Sequence, residues 1–247
     1  MSKLLGNIPI EKQIARHMQR WEMQRLEWAR QTKPELREQP KKIGPYISFS
    51  RELASGGTEI AQRLAEKLGW QLYDRQIIEA IANRAHVRQE LAASFDEHVQ
   101  SELQTYLYNL FTNQVLNNTQ YLYHLTEVVL GIARGGNAVI VGRGANFILP
   151  PEAGLRVGVV APKEIRVQRL MRGRNITEKL ATHEIEQADE ERRNFLLRSF
   201  HSKVENPCAY DVVINTGHID LEIATDLIIK LAESKLKSGM RPAGNTN

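Results

Sequence analysis

From Tyr46 onward the chain alternates two kinds of apolar pattern. YISFS (46–50) is a short β-rich run. It leads into GGTEIAQRLAEKLG, where Ile60, Leu64 and Leu68 recur at spacing four along one helix face, and Gly69 provides a C-terminal stop. WQLYD (70–74) reads as a second strand and RQIIEAIANRA as a second helix. Residues 88–134 read as mostly helical, rich in apolar and aromatic side chains and free of proline. NAVIVG (137–142) and LRVGVVA (155–161) are nearly continuous apolar runs, as strands buried on both faces tend to be, and DVVINT (211–216) reads as a last strand. PKEIRVQRLMRGR opens a helix with Pro162 in its first turn, and HIDLEIATDLIIKLAESKLK is a last amphipathic helix. Strand and helix alternating in this way predict an α/β fold with a parallel sheet covered on both faces. No internal repeat is present.

Residues 1–43 carry a different text. They hold ten Lys/Arg against five Asp/Glu and two of the three tryptophans. Ile14, Met18, Trp21 and Trp28 fall near one face of a helix, and Pro34 and Pro40 then break the pattern as a linker. This basic helical arm either packs on its own domain or a homo-oligomer mate, or docks on an acidic partner or membrane surface. Residues 44–238 form the main domain, and 239–247 read as a flexible tail.

The chain has 247 residues, enough for one substantial domain, and its 42% apolar and 25% charged content is that of a globular protein. A net charge of +4 suits phosphate-bearing small molecules and gives no reason to expect nucleic acid. Cys208 is the only cysteine, which precludes an internal disulfide and fits a reducing compartment. No run approaches a membrane span and no leader is apparent, so a cytoplasmic protein is expected. The histidines lie far apart with no metal-ligand spacing.

The chemistry concentrates at SRELASGGT (50–58). A phosphate-binding loop turns successive amides inward at a helix N-terminus, and glycines let the backbone approach the anion. Laid on the common pattern G-x-x-x-x-G-K-[ST], Gly56 matches the second glycine and Thr58 the hydroxyl residue. Arg51 stands at the first glycine and Gly57 where the lysine belongs. Ser55, Gly56, Gly57 and Thr58 are therefore the candidate binders of a donor phosphate, with Thr58 as the candidate magnesium ligand. A plain glycine-bearing turn is the alternative.

Six blocks in order, ISFSRELASGGTEIAQRLAEKLG, LYDRQII, VIVGRGANFIL, LRVGVVAPKEIRVQRL, ITEKLATHEIEQADEERRNFL and YDVVINTGHIDLE, resemble the cytidylate-kinase-like family over roughly residues 45–235. That resemblance implies a three-layer α/β/α P-loop NTPase fold with a five-stranded parallel sheet. It also implies a helical acceptor-side insert at about 88–134 and a lid at about 163–200. The family's own loop reads Ser-Arg-Glu, then small residues and Gly-Gly, so the missing lysine is the family's habit. The implied activity is ATP-dependent phosphoryl transfer, with Mg2+, to a nucleoside monophosphate, most simply CMP or dCMP. A non-catalytic nucleotide-binding regulator and a kinase for another phosphorylated acceptor are the other readings.

Site residues follow from the resemblance position by position. Arg51 is the nearest cation in sequence to replace the lysine. Asp74, at the end of a strand, falls at the aspartate that begins the acceptor region; capping the next helix is its other role. Arg143 matches the arginine that holds the acceptor's phosphate, while Gly144 stands where relatives carry aspartate. Arg166 and Arg169 fall in the lid; a solvated basic face is the alternative. Asp189 and Arg192 match an Asp-x-x-Arg tied to acceptor recognition, or simply pair with each other at i,i+3. The Arg-Asp pair that precedes it in relatives is Ile185 and Glu186 here. Tyr106, Tyr108, Phe111, Tyr121 and Tyr123 of the insert suit core or subunit contacts better than base stacking.

Overall fold

The computed structural model describes residues 9–30, 43–94 and 120–236, together with positions 104, 105, 107 and 110. The linker prolines, Tyr106, Tyr108, Phe111, the Trp28 side chain and the tail lie outside the described residues.

Five strands form one parallel sheet: β1 (Tyr46–Arg51), β2 (Gln71–Tyr73), β3 (Ala138–Val141), β4 (Gly154–Val160) and β5 (Val212–Asn215). Their order is β2-β3-β1-β4-β5. The central strand β1 is paired on both sides, Tyr46 lying opposite Ala138 of β3 and Gly154 of β4. With both faces covered, β1 and β3 are buried almost throughout, which explains the unbroken apolar text of β3; in β1, Ser48 and Ser50 are buried with the apolar residues.

Alternation along the strands feeds two cores. Ile47, Phe49, Val139, Val141, Val157 and Val159 meet α2 (Gly57–Leu68) and the last helix, Leu221–Lys235. On the opposite face, Tyr46, Tyr73 and Ile140 meet α1 (Ile10–Arg30), α3 (Arg75–Ala82), α4 (Ala85–Ala93) and α5 (Gln120–Gly135). The short α6 (Ala145–Ile148) follows β3. Two helices, α7 (Lys163–Arg174) and α8 (Glu178–Phe200), form a hairpin after β4. A short 3-10 turn (Pro207–Ala209) precedes β5, and the helix at Leu221–Lys235 is α9.

Helix boundaries follow local chemistry. Gly69, at φ 65°, closes α2 by donating its amide to the last turn. Asp74 opens α3, and Thr177 and Asp220 open α8 and α9, each accepting a first-turn amide. The helix expected at RQIIEAIANRA forms as α3 and ends at Ala82; Arg84, in an extended conformation, separates it from α4.

The N-terminal helix packs on its own domain. It lies against α3 and α4, and Ile14, His17 and Trp21 are buried. Met18 is partly buried in the same core. His17 stacks on Tyr73 at 4.4 Å and leaves its Nδ1 without a partner. Burial, aided by nearby Arg20, depresses its pKa from 6.5 to about 4. Among the described residues no helix is long and apolar enough to cross a membrane.

Between about pH 6.5 and pH 4 the unfolded chain binds a proton at His17 that the folded chain refuses. The contribution of this residue to stability is therefore complete above that window and is lost as pH falls through it, by at most about 3 kcal/mol. Urea unfolding between pH 7 and pH 4.5 should show a steep loss of stability, and His17→Phe, which keeps the stacked ring, should flatten it. An unchanged slope in the variant would place the titration elsewhere.

Candidate active site

The expected glycine loop bridges β1 and α2. Ser55 turns it back, its amide and hydroxyl both donating to the Glu52 carbonyl at 3.3 and 2.9 Å. Ala54 and Gly56 take left-handed φ values of 60° and 83°. The first α2 amide to find an intrahelical acceptor is Ile60, bonded to the Gly56 carbonyl at 3.0 Å. The amides of Gly56, Gly57, Thr58 and Glu59 thus have no acceptor among the described residues. They gather at the positive end of a twelve-residue helix, the arrangement that holds anions. The half-buried Thr58 hydroxyl opens the same turn and has no hydrogen bond to a described residue, so it fits the role of a magnesium ligand.

Distant segments fix the loop. One Glu52 carboxylate oxygen accepts the Ala161 amide at 3.0 Å and lies 3.4 Å from Arg166 Nε. Arg166 is 5% exposed; its Nη1 and Nη2 form a fork with Asp189 at 3.0 and 2.9 Å. Arg169 donates to the Thr216 hydroxyl and carbonyl at 2.9 and 2.8 Å, and that hydroxyl donates to the Ser55 carbonyl at 2.5 Å. A third small core, Val167, Leu170, Ala181 and Ile185, takes in Leu53 and Ala54 of the loop. The α7–α8 hairpin is therefore bonded and packed onto the loop.

Beside the loop, at the carboxyl ends of β1 and β3, lies a cavity of about 260 Å3. This is where ligands of open parallel sheets bind. Arg51, Arg75, Arg143 and Arg192 line it, with Ser50, Asp189, Glu191 and Phe195. Arg192 Nη2 donates to the buried Ser50 hydroxyl at 2.9 Å. The Arg143 Nη2 meets the Glu79 carboxylate, its guanidinium sits 5.5 Å from the Phe195 ring centre, and its Nε is buried without a hydrogen-bond partner among the described residues. Burial, then the charges of Arg75 and Arg51, push its pKa down to about 10, with Glu191 opposing. Arg51 has no hydrogen bond or ion pair with a described residue. Burial lowers its pKa, as do Arg192 and Arg75, against the pull of Asp74 and Glu59. Arg143 remains a cation at neutral pH.

Of the residues singled out from sequence, Arg51, Arg143, Asp189 and Arg192 meet in the cavity. Ser55, Gly56, Gly57 and Thr58 form the adjoining loop and helix start. Asp74 caps α3, accepting the Ile77 amide at 2.9 Å. Arg166 and Arg169 are not on the cavity wall; they are engaged in holding the loop. The i,i+3 pair expected of Asp189 and Arg192 does not form, because Arg166 takes the carboxylate and Ser50 the guanidinium. A side chain at Gly144 would be strained at φ 69° and would have to displace the Phe200 ring, since a Cβ there would fall 2.2 Å from it. Ile185 is fully buried in the third core and Glu186 pairs outward with Lys163. Tyr121 and Tyr123 are each 40% exposed, not core residues. Sequence reasoning missed Arg75, Ser50 and Thr216, although all three sit at or next to strand ends, where the sheet rule points.

Residues 46–218 match the cytidylate kinase-like family, and the chain belongs to that family. It is similar to a cytidylate kinase of Archaeoglobus fulgidus, 27% identical over 191 residues, 76% of this chain and 95% of that one. A cytidylate kinase of Thermotoga maritima is 24% identical over 227 residues, 79% and 100% of the two chains. The crystal structure of an uncharacterized protein from Eubacterium ventriosum superposes with a TM-score of 0.54 at 22% identity, covering 76% of this chain and 98% of its own. At that identity the likeness is one of fold.

Removing the buried guanidinium with Arg166→Met would leave the Glu52 and Asp189 carboxylates uncompensated. Urea denaturation should register a loss on the order of 3 kcal/mol. A loss under about 1 kcal/mol would mean that the hairpin holds the loop by apolar packing alone.

Proposed function

We propose that this member of the cytidylate kinase-like family transfers the terminal phosphoryl group of ATP to a small phosphorylated acceptor, most simply CMP or dCMP. The observation that carries the reading is the convergence of four guanidinium groups on one cavity beside a loop of unbonded amides. The loop and α2 start suit the donor's phosphates, and the cavity suits the acceptor's. Family membership brings the general kinase role.

The nature of the groups around the cavity favours a phosphate nucleophile over an alcohol. An alcohol needs a base to take its proton. The described lining contains no histidine; its Asp189 carboxylate is occupied by Arg166, and its other carboxylate, that of the exposed Glu191, accepts from the Gln187 amide at 2.9 Å. A phosphate monoester is already largely ionised at neutral pH and attacks without a base. What it needs is orientation and relief of its repulsion from the donor, which guanidinium forks supply. In this scheme Arg143 and Arg192 hold the acceptor, Arg51 stands between acceptor and donor, and Leu53 with the α7–α8 hairpin keeps water out. Bound magnesium would be held through Thr58 and the donor's own oxygens, where it neutralises phosphate charge. ATP and magnesium are thus the expected co-substrate and cofactor.

The third-core burial of Ile185 and the outward pairing of Glu186 favour a second reading, an acceptor other than a cytidine nucleotide. The positions that carry an Arg-Asp pair in relatives present nothing to the cavity here. A regulator that binds nucleotide without turnover draws support from Gly57 alone.

ADP release should be measured with ATP, magnesium and a panel of nucleoside and other phosphate monoesters. Turnover is expected on at least one of them, and Arg143→Ala should lower kcat/KM by about 100-fold or more, as loss of a charge-assisted contact to phosphate does. ATP binding without turnover on any acceptor would instead establish the regulator.

A further inference from the structure

We infer that Gly57 is the slot through which Arg51 reaches the reacting phosphates, so that the absent lysine and the added arginine are one reciprocal exchange. This deepens the phosphoryl-transfer reading and rests on it. A Cβ built on Gly57 would lie 2.6 Å from Arg51 Cβ and 3.2 Å from its Cγ, with Val159 Cβ at 3.1 Å behind. The Arg51 stem therefore fills the space into which any side chain at 57 must project. Further along the same side chain, a Cβ on Gly142 would lie 3.3 Å from Arg51 Nη1. Two glycines from different segments thus border one arginine, at its stem and at its head.

The head ends in the cavity with Arg75, Arg143 and Arg192 and has no hydrogen bond or ion pair with a described residue. A guanidinium taken out of water among like charges is costly unless an anion completes it. The stem lies against Gly57 at the start of α2, and the residue lines the cavity assigned above to the acceptor. Arg51 is therefore placed to contact the phosphoryl group in passage, a position between donor and acceptor. A lysine on the first turn of α2 would share that space with the Arg51 stem. Gly57 and Gly142 act as positioning residues and Arg51 as the residue that touches the phosphates.

The test uses the full chain and compares binding of ATP and of AMP, each with magnesium, across a small set of variants. Arg51→Met keeps the stem and removes the charge. It should weaken ATP about 10- to 100-fold, the worth of a charge-assisted bond, while AMP changes less than about 3-fold. Its melting temperature should equal or exceed that of the wild type, since a half-buried cation crowded by like charges and without an ion pair among the described residues is gone. Gly57→Ala should weaken ATP at least 10-fold in the wild-type chain and have almost no effect in Arg51→Gly, where the slot is vacant. Gly57→Lys should fail alone and recover ATP binding when combined with Arg51→Gly.

Equal loss of ATP and AMP in Arg51→Met, or a lowered melting temperature, would make Arg51 a structural residue and overturn the inference. So would additive effects of the substitutions at 51 and 57. ATP binding indifferent to Arg51→Met overturns this inference alone. No ATP binding by the wild type overturns the phosphoryl-transfer reading with it.

Discussion

Like charges held close together set the terms for this fold. Four guanidinium groups share a cavity of about 260 Å3, and two of them have lowered pKa values, Arg51 through burial and the charges of Arg192 and Arg75, and Arg143 through burial and the charges of Arg75 and Arg51. Left to itself, such a cluster would swing its side chains into water. It stays because each arginine is rooted in a rigid element. Arg51 ends the central strand, Arg143 follows β3, Arg75 begins α3 and Arg192 lies on α8. The large cores on both sheet faces resist the strain that the cluster exerts. An anion that enters finds its partners already in place, without the ordering cost that flexible side chains would impose.

The charges nearby divide into two populations with different tasks. Arg166 and Arg169 find fixed partners, a carboxylate fork in one case and the Thr216 hydroxyl and carbonyl in the other. They join the hairpin to the loop. Arg51 and Arg192 have no carboxylate within the described structure; Arg192 has only a serine hydroxyl. These four cations looked alike in the sequence, and only their partners separate those that build from those that wait for a ligand.

Much of the scaffold was legible in advance. All five strands lie where the strand-like runs predicted them; β3 and β4 read as nearly continuous apolar text because they are covered on both faces, whereas the edge strands β2 and β5 are only partly buried. Gly69 and the α2 spacing announced a helix and its end. The candidate site was legible in part: the loop, Arg51, Arg143 and Arg192 were singled out by motif and resemblance. The functions of Arg166 and Asp189 were not, since a pair 23 positions apart on two helices leaves no local signature. The contact between Glu52 and Ala161 spans 109 positions and depends on β1 lying beside β4. Gly144 read as a missing carboxylate, when it is a vacancy filled by Phe200 from the far end of α8. Each of these is a property of the folded arrangement and not of any stretch of text.

The bond from the Thr216 hydroxyl to the Ser55 carbonyl has a geometric corollary. A trans peptide unit is flat, and its oxygen and its hydrogen point in opposite directions. Drawing the Ser55 oxygen toward β5 therefore turns the Gly56 hydrogen the other way, as a weathervane fixed at its tail must face its head upwind. The aim of that donor is thus decided by a side chain 161 positions along the chain, and decided before anything arrives to be held.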